Sequence, residues 1–227
     1  MKNAKMTGLQ HPVTVGVGIM SNSGHLYGTG YRAEKANNTD EYLWPPVMRR
    51  LKALKQGARV LDAGCGNGYF LKHLNETGYD VSGIELDLSG VEIARKMVPN
   101  CRIENKSIYD DVSNIFSEKF DAIVSLEVVE HLYDPRKFAK EMKKCLKPNG
   151  IFIVSTPYHG YLKNLAITAL GKFDKHVSPL WDGGHIKFWS KTTLTKLLTD
   201  EGLQVIGFDG AGRFSYFWKS MILTAKN

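Results

Sequence analysis

The stretch that decides the fold is residues 61–68, which read LDAGCGNG. It follows a short apolar run, 59–63, that is typical of a buried strand. It precedes residues 69–76, whose apolar side chains recur at helical spacing. Glycines between a strand and a helix let backbone N–H groups approach a ligand at the helix N-terminus. The spacing is G-x-G-x-G, and Tyr69 stands where the dinucleotide fingerprint G-x-G-x-x-G needs its third glycine.

Strand-like and helical patterns alternate on either side of this loop. The other strand-like runs are 81–85, 101–104, 120–126 and 151–156, and the other helical patterns are 40–55, 91–97, 135–146 and 190–201. This rhythm predicts βαβ units, hence a mostly parallel sheet with helices on both faces. Two final strands, 203–209 and 216–225, are joined by the short turn 210–212. So short a connection predicts an antiparallel hairpin at the end of the sheet.

Two segments depart from the alternation. Residues 1–38 are irregular and rich in Gly, Asn, Ser and Thr, and we expect them to form an N-terminal lid on a single domain, 39–227. Residues 158–189 interrupt the rhythm with apolar and aromatic side chains, which predicts an inserted cap. Within this cap, residues 160–171 (GYLKNLAITALG) are apolar nearly all round. They are either core of the cap or a patch that meets lipid or a hydrophobic chain.

Composition narrows the function classes. The chain has 30 Lys+Arg against 23 Asp+Glu, a formal charge of +7. The basic residues are scattered apart from a cluster within 49–55, where a solvated helix face is the simpler interpretation, so we expect no nucleic-acid partner. Three cysteines without CxxC spacing support neither a zinc knuckle nor a disulfide framework. No run has the length of a signal peptide or a membrane span. These features predict a cytoplasmic location.

An acid accompanies the glycine loop. Glu85 ends the second strand, 21 residues after Gly64, where a carboxylate can accept both hydroxyls of a ribose. A glycine loop alone is often an ordinary tight turn. The loop, the acid and the strand context together favour a ligand that contains a nucleoside, because an ordinary turn does not require an acid at the end of the next strand.

Glu127, Glu130 and His131 form a second group of polar residues, just past the fourth strand. If a helix begins there, their spacing places all three on one face, at the carboxyl edge where α/β proteins bind ligands. Three interpretations stay open. The acids offset a helix dipole while His131 packs under the cap, or His131 is a general base, or the group holds a hard cation. His131 is the better base than either acid, because imidazole ordinarily titrates near neutrality.

Four motifs in order resemble the class I S-adenosylmethionine-dependent methyltransferases over roughly residues 40–225. They are 62–68 (DAGCGNG), 83–85 (GIE), 125–131 (SLEVVEH) and 146–150 (LKPNG). Within that family, residues 127–131 and 184–188 (GHIKF) look most like the ubiquinone-biosynthesis O-methyltransferases. The resemblance implies a doubly wound, Rossmann-like, seven-stranded sheet with its last strand antiparallel, and S-adenosylmethionine as cofactor.

The resemblance also implies roles for individual residues. The glycine loop and Asp62 would surround the methionine half of the cofactor, Glu85 would hold the ribose, and Leu86 would lie against the adenine. Relatives often have an acid after the third strand, where this chain has Ser107, and the region of Tyr31 often closes over the cofactor carboxylate. The cofactor-binding residues predicted in this way are Tyr31, Asp62, Gly64, Cys65, Gly66, Glu85, Leu86, Ser107, Ile108 and Leu126.

The function predicted from these features is methyl transfer to a small-molecule acceptor, on a hydroxyl of an apolar or aromatic compound. His131 and Glu127 are the predicted catalytic residues, no resident metal is expected, and the cap makes at most a weak membrane contact. The alternatives are an RNA or N-methyltransferase and a non-catalytic cofactor-binding module. An RNA enzyme would usually show an Asn/Asp-Pro-Pro-aromatic motif after the fourth strand, and this chain reads SLE there, at 125–127. A cap with histidines and aromatics argues against the non-catalytic module.

Overall fold

A computed structural model describes residues 39–181 and 183–227, so the predicted lid, 1–38, lies outside the described residues. The described chain forms one seven-stranded sheet in the order β3-β2-β1-β4-β5-β7-β6. The strands are β1 Arg59–Ala63, β2 Asp80–Glu85, β3 Arg102–Asn105, β4 Phe120–Ser125, β5 Leu146–Pro157, β6 Gln204–Ala211 and β7 Ser220–Lys226. The helices are α1 Asp40–Leu51, α2 Tyr69–Glu76, α3 Leu88–Met97, α4 Val112–Ile115, α5 Pro135–Cys145, α6 Tyr161–Ala169, α7 Phe173–Val177 and α8 Lys191–Asp200.

The sheet is parallel except at β7, which runs antiparallel to both of its neighbours. The strand order reverses between β1 and β4, so the connections that leave these two strands diverge and open a crevice at the carboxyl edge. This architecture confirms the prediction of a doubly wound, mostly parallel sheet of seven strands with the last strand antiparallel.

The core has two hydrophobic layers, one on each face of the sheet. Successive side chains of a strand point to opposite faces. Val60 accordingly packs in one buried cluster with α1, α2 and α3, while Leu61 packs in the other with α5 and α8. The central strands therefore read as continuous apolar runs, which is why the sequence pattern located them.

The last two strands pair antiparallel as predicted, but the prediction of a short turn at 210–212 between them is wrong. Gly210 and Ala211 belong to β6, and the connection to β7 is the eight-residue segment 212–219. This segment exposes the large side chains of Phe214 and Tyr216, and Tyr216 adopts a left-handed backbone with φ of 67°. Gly210 therefore extends the strand instead of forming the predicted turn. Because β7 pairs with both β5 and β6, it is an interior strand and β6 forms the edge.

Residues 158–189, hereafter the insertion, connect β5 to α8 and contain α6 and α7. Two neighbouring backbone N–H groups, of Ile186 and Lys187, donate to the carbonyl of Glu130, and the Trp189 indole donates to the carbonyl of Val129. The insertion is thereby tied to the turn that follows β4. Among the described residues, no helix combines the length and the apolar character needed to cross a bilayer.

Candidate active site

The glycine loop after β1 requires glycine for two reasons. Gly64 and Gly68 have left-handed φ angles of 89° and 79°, which side chains rarely adopt. A Cβ on Gly64 would lie 2.6 Å from Val128 Cγ2, and a Cβ on Gly68 would lie 2.7 Å from Ala94 Cβ. The backbone of the loop therefore packs directly against the segment after β4 and against α3. The contact with Val128 brings the two groups of residues singled out in the sequence to the same crevice.

Glu85 is hydrogen-bonded to this loop. Its Oε2 accepts from the backbone N–H of Gly66 at 2.8 Å, and its Oε1 accepts from the N–H of Asp87 at 2.8 Å. Burial raises the pKa of Glu85, while these two hydrogen bonds oppose the rise. Each carboxylate oxygen has a second lone pair, so both can also accept from ribose hydroxyls.

The surroundings of Glu85 suit a nucleoside. Leu86 is next in the chain and exposes 49% of its surface beside the carboxylate. Leu88, two residues further on, offers a second exposed apolar side chain. The residues present therefore fit the ribose and adenine of S-adenosylmethionine.

The segment after β3 contributes a polar turn. The Ser107 hydroxyl accepts from the N–H of Tyr109, and the Asp110 carboxylate accepts from the N–H of Ser107. The Ser107 O–H proton is not used in this turn, so it can still be donated. Asn105, which sequence reasoning missed, donates to the carbonyls of Glu85 and Leu86 and ties β3 to β2. An amide at the end of a strand is common, so the sequence carried no specific signal for it.

The remaining predicted cofactor residues occupy different environments. Asp62 and Cys65 are buried, and burial raises the pKa of the Cys65 thiol well above its usual range. Ile108 and Leu126 are half-buried and pack against different core clusters. Tyr31 lies outside the described residues. The structure thus brings the loop and Glu85 into direct contact. The roles of the other residues stay predictions.

Glu127 is held by two serines from neighbouring strands. The Ser155 hydroxyl of β5 donates to its Oε1 at 2.8 Å, and the Ser220 hydroxyl of β7 donates to its Oε2 at 3.1 Å. Burial raises the pKa of Glu127 to about 7. A carboxyl group that titrates near neutrality can act as a general base. The sequence argument that His131 is the better base, because imidazole ordinarily titrates near neutrality, therefore does not separate it from Glu127.

No α-helix begins directly after β4, so Glu127, Glu130 and His131 do not share the predicted helix face. Glu127 has a left-handed φ of 56°, and a single turn of 3₁₀ helix, Val129–His131, follows it. The left-handed residue redirects the chain before the turn. As a result Glu127 bonds to the sheet, whereas Glu130 and His131 lie with the insertion.

His131 is fixed by the backbone of the insertion. Its Nδ1 lies 2.9 Å from the carbonyl oxygen of Gly183 and 3.2 Å from that of Gly184. Carbonyls only accept, so Nδ1 carries a proton and Nε2 of the neutral ring keeps its lone pair. The ring also contacts the edges of Trp181 and His185, with centroids 5.8 and 4.9 Å away. This arrangement can accept a proton or bind a cation at Nε2.

Glu130 is the most unusual acid of the group. It is 1% exposed, and among the described residues neither carboxylate oxygen has a partner within strict hydrogen-bond geometry, although the Thr156 hydroxyl lies close enough to oppose the rise of its pKa. Burial, and then the charge of Glu127, raise its pKa well above the usual range. The nearest cationic candidate is His185, whose Nε2 lies 4.0 Å away. Burial and the neighbouring His131 lower the pKa of His185 to about 4, so His185 is neutral near pH 7.

Three side chains in this group have the chemistry to hold a metal ion. One ligand atom each from Glu130, His131 and His185 lie within 4.8 Å of one another. The sequence suggested a cation set of Glu127, Glu130 and His131 as one interpretation. In the structure Glu127 bonds to serines instead, and His185 takes the third place. His185 lies more than fifty residues further along the chain, so spacing gave no signal for it.

Comparison with known proteins agrees with this architecture. The family description "methyltransferase domain" matches residues 35–207. A protein of Mycolicibacterium smegmatis, named probable S-adenosylmethionine-dependent methyltransferase, is 31% identical over 170 residues, covering 73% of this chain and 61% of that protein. The ubiquinone biosynthesis O-methyltransferase of Bradyrhizobium diazoefficiens is 32% identical over 151 residues, covering 66% and 59%. The chain thus spans about three-fifths of the length of these relatives.

Solved structures with the same fold include two methyltransferases. Magnesium protoporphyrin IX methyltransferase from Synechocystis, with bound S-adenosylhomocysteine (SAH), superposes with a TM-score of 0.63 at 18% identity, covering 81% of each chain. An S-adenosylmethionine-dependent methyltransferase from Clostridium acetobutylicum superposes with a TM-score of 0.62 at 14% identity, covering 79% of this chain and 88% of that one. The chain belongs to the methyltransferase domain family, as predicted. The cofactor of that family is S-adenosylmethionine.

Proposed function

We propose that this protein transfers a methyl group from S-adenosylmethionine to an oxygen of a small apolar or aromatic molecule. The observation that carries the proposal is the contact of the glycine loop with the segment after β4. A Cβ on Gly64 would strike Val128, so the cofactor loop adjoins Glu127 and His131. Curated relatives named ubiquinone biosynthesis O-methyltransferase support oxygen as the acceptor atom.

The cofactor would be held mainly by the backbone. The N–H groups around Gly64, Cys65 and Gly66 and the buried Asp62 would face its methionine half. Glu85 would accept from both ribose hydroxyls. The exposed face of Leu86, with Ile108 and Leu126, would cover the apolar surfaces of the nucleoside, and the Ser107 hydroxyl would donate to adenine. Tyr31 would close over the carboxylate.

The cofactor supplies a methyl group already activated on a sulfonium. The protein's main contribution would be to align the acceptor oxygen with that carbon and to exclude water. A phenol or catechol must also lose its proton. His131 Nε2 and the Glu127 carboxylate are the two acceptors available, and each is fixed by hydrogen bonds to a different element. His131 depends on the insertion, while Glu127 depends on β5 and β7.

A divalent cation is an alternative partner for the acceptor oxygen. The specific observation in its favour is the cluster of Glu130, His131 and His185, in which one ligand atom from each residue lies within 4.8 Å of the others. A bound cation would favour the ionised form of the Glu130 carboxyl group, which burial and Glu127 disfavour. A cation held by Glu130, His131 and His185 would orient a hydroxylated acceptor and lower its pKa.

The insertion would also meet a lipid surface weakly. Several apolar side chains of α6 and its flanks are exposed: Tyr161, Leu162, Leu165, Leu170 and Phe173. A short apolar helix of this kind can bury one face at the boundary between headgroups and acyl chains. Contact with a membrane would bring an apolar acceptor to the mouth of the site.

Binding and turnover test the proposal separately. Calorimetry should show micromolar binding of S-adenosylmethionine and SAH, roughly −8 kcal/mol, and no binding of NAD. A library of phenols, catechols, amines and RNA should then be offered with isotopically labelled cofactor. Label on a phenolic oxygen supports the proposal. Label on nitrogen or RNA, or binding of NAD in place of SAH, contradicts it.

A further inference from the structure

A tight turn of the insertion lies directly against His131. The Gly184 N–H donates to the Trp181 carbonyl at 2.9 Å, and this i to i+3 hydrogen bond is typical of a β-turn. Gly183 has a left-handed φ of 74°, which glycine adopts readily. The carbonyl oxygens of Gly183 and Gly184 lie 2.9 and 3.2 Å from Nδ1 of His131. The turn therefore presents two successive acceptors to one ring nitrogen.

The residues after this turn hold the backbone beside His131. The N–H groups of Ile186 and Lys187 both donate to the carbonyl of Glu130 at 3.0 Å. Residues 183–187 thus accept from the side chain of His131 and donate to the residue before it. A flip of the imidazole would place a carbon atom at the two carbonyls and forfeit both hydrogen bonds. The orientation of the ring is therefore set by this one segment of the insertion.

Gly184 has no room for a side chain. A Cβ placed there would lie 2.8 Å from the carbonyl oxygen of Trp181 and 3.2 Å from Cε3 of its ring. The oxygen belongs to the backbone, so relief of the overlap requires a backbone shift. The Trp181 ring in turn packs against His131 and His185, with centroids 5.8 and 5.4 Å away. A side chain at Gly184 would therefore displace the turn relative to His131.

We propose that Gly184 is a positioning residue for methyl transfer, because it lets the turn fix the tautomer of His131. In that tautomer Nδ1 carries the proton and Nε2 keeps its lone pair. The O–H bond of the acceptor breaks as an N–H bond forms at Nε2, and the electron pair left on oxygen accepts the methyl group. The resulting imidazolium still donates from Nδ1, so the two carbonyls stay hydrogen-bonded. This proposal rests on the proposed function and, of its two proton acceptors, selects His131.

The tautomer is measured first, on SAH-loaded protein labelled with ¹⁵N at histidine. Long-range ¹H–¹⁵N spectra distinguish a protonated from an unprotonated ring nitrogen. Comparison with His131→Ala identifies the His131 signals among those of the seven histidines. At a pH of about 9, well above the ordinary histidine pKa of about 6.5, the wild type should carry the proton on Nδ1. A proton on Nε2 would overturn the proposal without any change to the turn.

Gly184→Ala then tests the turn, and Gly171→Ala is its matched control in the same insertion. Gly171 has a left-handed φ of 61°, but nothing lies within 4 Å of a Cβ placed there. Gly184→Ala should populate both tautomers. It should also lower kcat with a phenol or catechol about 100-fold, because a displacement of about 1 Å can cost that much. KM for the acceptor and SAH affinity should not change, and Gly171→Ala should match the wild type in all these quantities.

SAH affinity shows whether each variant is folded. If Gly184→Ala does not bind SAH, Gly183→Ala replaces it, since it strains the same turn through its left-handed φ and should shift the tautomer in the same direction. A turn variant that keeps the wild-type tautomer and kcat would overturn the proposal, and so would equal losses of kcat in the turn variant and Gly171→Ala. A wild type that carries the proton on Nδ1 but methylates no phenol or catechol would instead refute the proposed function.

Discussion

The loop after β1 and the segment after β4 face the same crevice but are constructed differently. The first is five consecutive residues, 64–68, of which three are glycines, and its proposed contacts with the cofactor come from the backbone. The second depends on side chains that follow β4, and these are held by Ser155 of β5, Ser220 of β7 and the backbone of the insertion, all distant in sequence. Substitutions that shift the backbone of residues 64–68 should therefore weaken cofactor binding. Turnover of the acceptor should instead also respond to substitutions far from the reacting atoms.

The largest effect is expected from Gly64→Ala. The new Cβ would lie 2.6 Å from Val128, and relieving such an overlap costs about 1–3 kcal/mol and displaces the loop N–H groups. We expect SAH affinity to fall about 100-fold, or ~2.7 kcal/mol. Isothermal calorimetry with SAH measures this change.

Gly57→Ala is the matched control for that change. Gly57 also has a left-handed φ, 72°, but nothing lies within 4 Å of a Cβ placed there. In both variants the alanine must adopt a left-handed backbone, which lowers the free energy of unfolding by about 1–2 kcal/mol. Only Gly64→Ala should lose cofactor. Equal SAH affinity in the two variants would show that the loop is an ordinary turn.

His131→Ala tests the other side of the comparison. If Nε2 removes the acceptor proton, kcat should fall by about 10²–10⁴ with SAH affinity unchanged, since His131 does not belong to the loop. Single-turnover methyl transfer on the wild type and the variant measures the chemical step directly. A variant as fast as the wild type would leave only a positioning role for this residue.

Chelation separates a proton acceptor from a metal ligand. A cation held by Glu130, His131 and His185 predicts that a chelator abolishes turnover until Mg²⁺ or Zn²⁺ is restored. It also predicts that Glu130→Gln and His185→Ala are as damaging as His131→Ala. A chelator without effect, together with a slow His131→Ala variant, favours the general base.

Glu127→Gln should change how stability depends on pH. The folded-state pKa of about 7 lies above the ordinary value of 4.5, so the native state binds more protons between those two pH values. The free energy of unfolding should therefore fall as pH rises from about 4.5 to about 7, by about 3 kcal/mol for this group. The amide keeps both serine partners but does not titrate, so the variant should lose that part of the fall. Urea unfolding at several pH values compares the two proteins, and parallel pH profiles would contradict the assignment.

The smallest effect on the fold is expected from Leu165→Ser combined with Leu170→Ser. These side chains are 52% and 66% exposed, and surface substitutions usually alter stability by about 0.5 kcal/mol or less. Sedimentation with liposomes should nevertheless show weaker binding than the wild type. Ile206→Ser on the edge strand β6 removes a similarly exposed apolar side chain and should not change liposome binding. If all variants sediment alike, α6 makes no lipid contact.

The two sides of the crevice differed in how far the sequence could predict them. The glycine loop and Glu85 were predictable because strand, turn and acid follow one another at fixed spacing, and the parallel register of β1 and β2 then brings the loop to Glu85. His185 was not assigned, because only the path of the insertion places it beside His131. The left-handed φ of Glu127 was equally hidden, since acids usually continue a helix or strand. That one angle removed the predicted helical face.

The sequence predicted those parts of the fold in which burial requires apolar side chains. Strands buried on both faces are continuous apolar runs, which located β1, β4 and β5. The joint between β6 and β7 was mispredicted because glycine marks a turn only when the backbone there leaves the strand, and this depends on the partner strand. The lid and Tyr31 stay predictions.

The position of β7 has a consequence for synthesis on the ribosome. β6 precedes β7 in the chain, yet within the described sheet it pairs with β7 alone, and β5 likewise waits for β7 along one edge. Until residues 220–226 leave the exit tunnel, both strands carry unsatisfied backbone groups that can pair with other nascent chains. The final closure of this sheet therefore waits for β7.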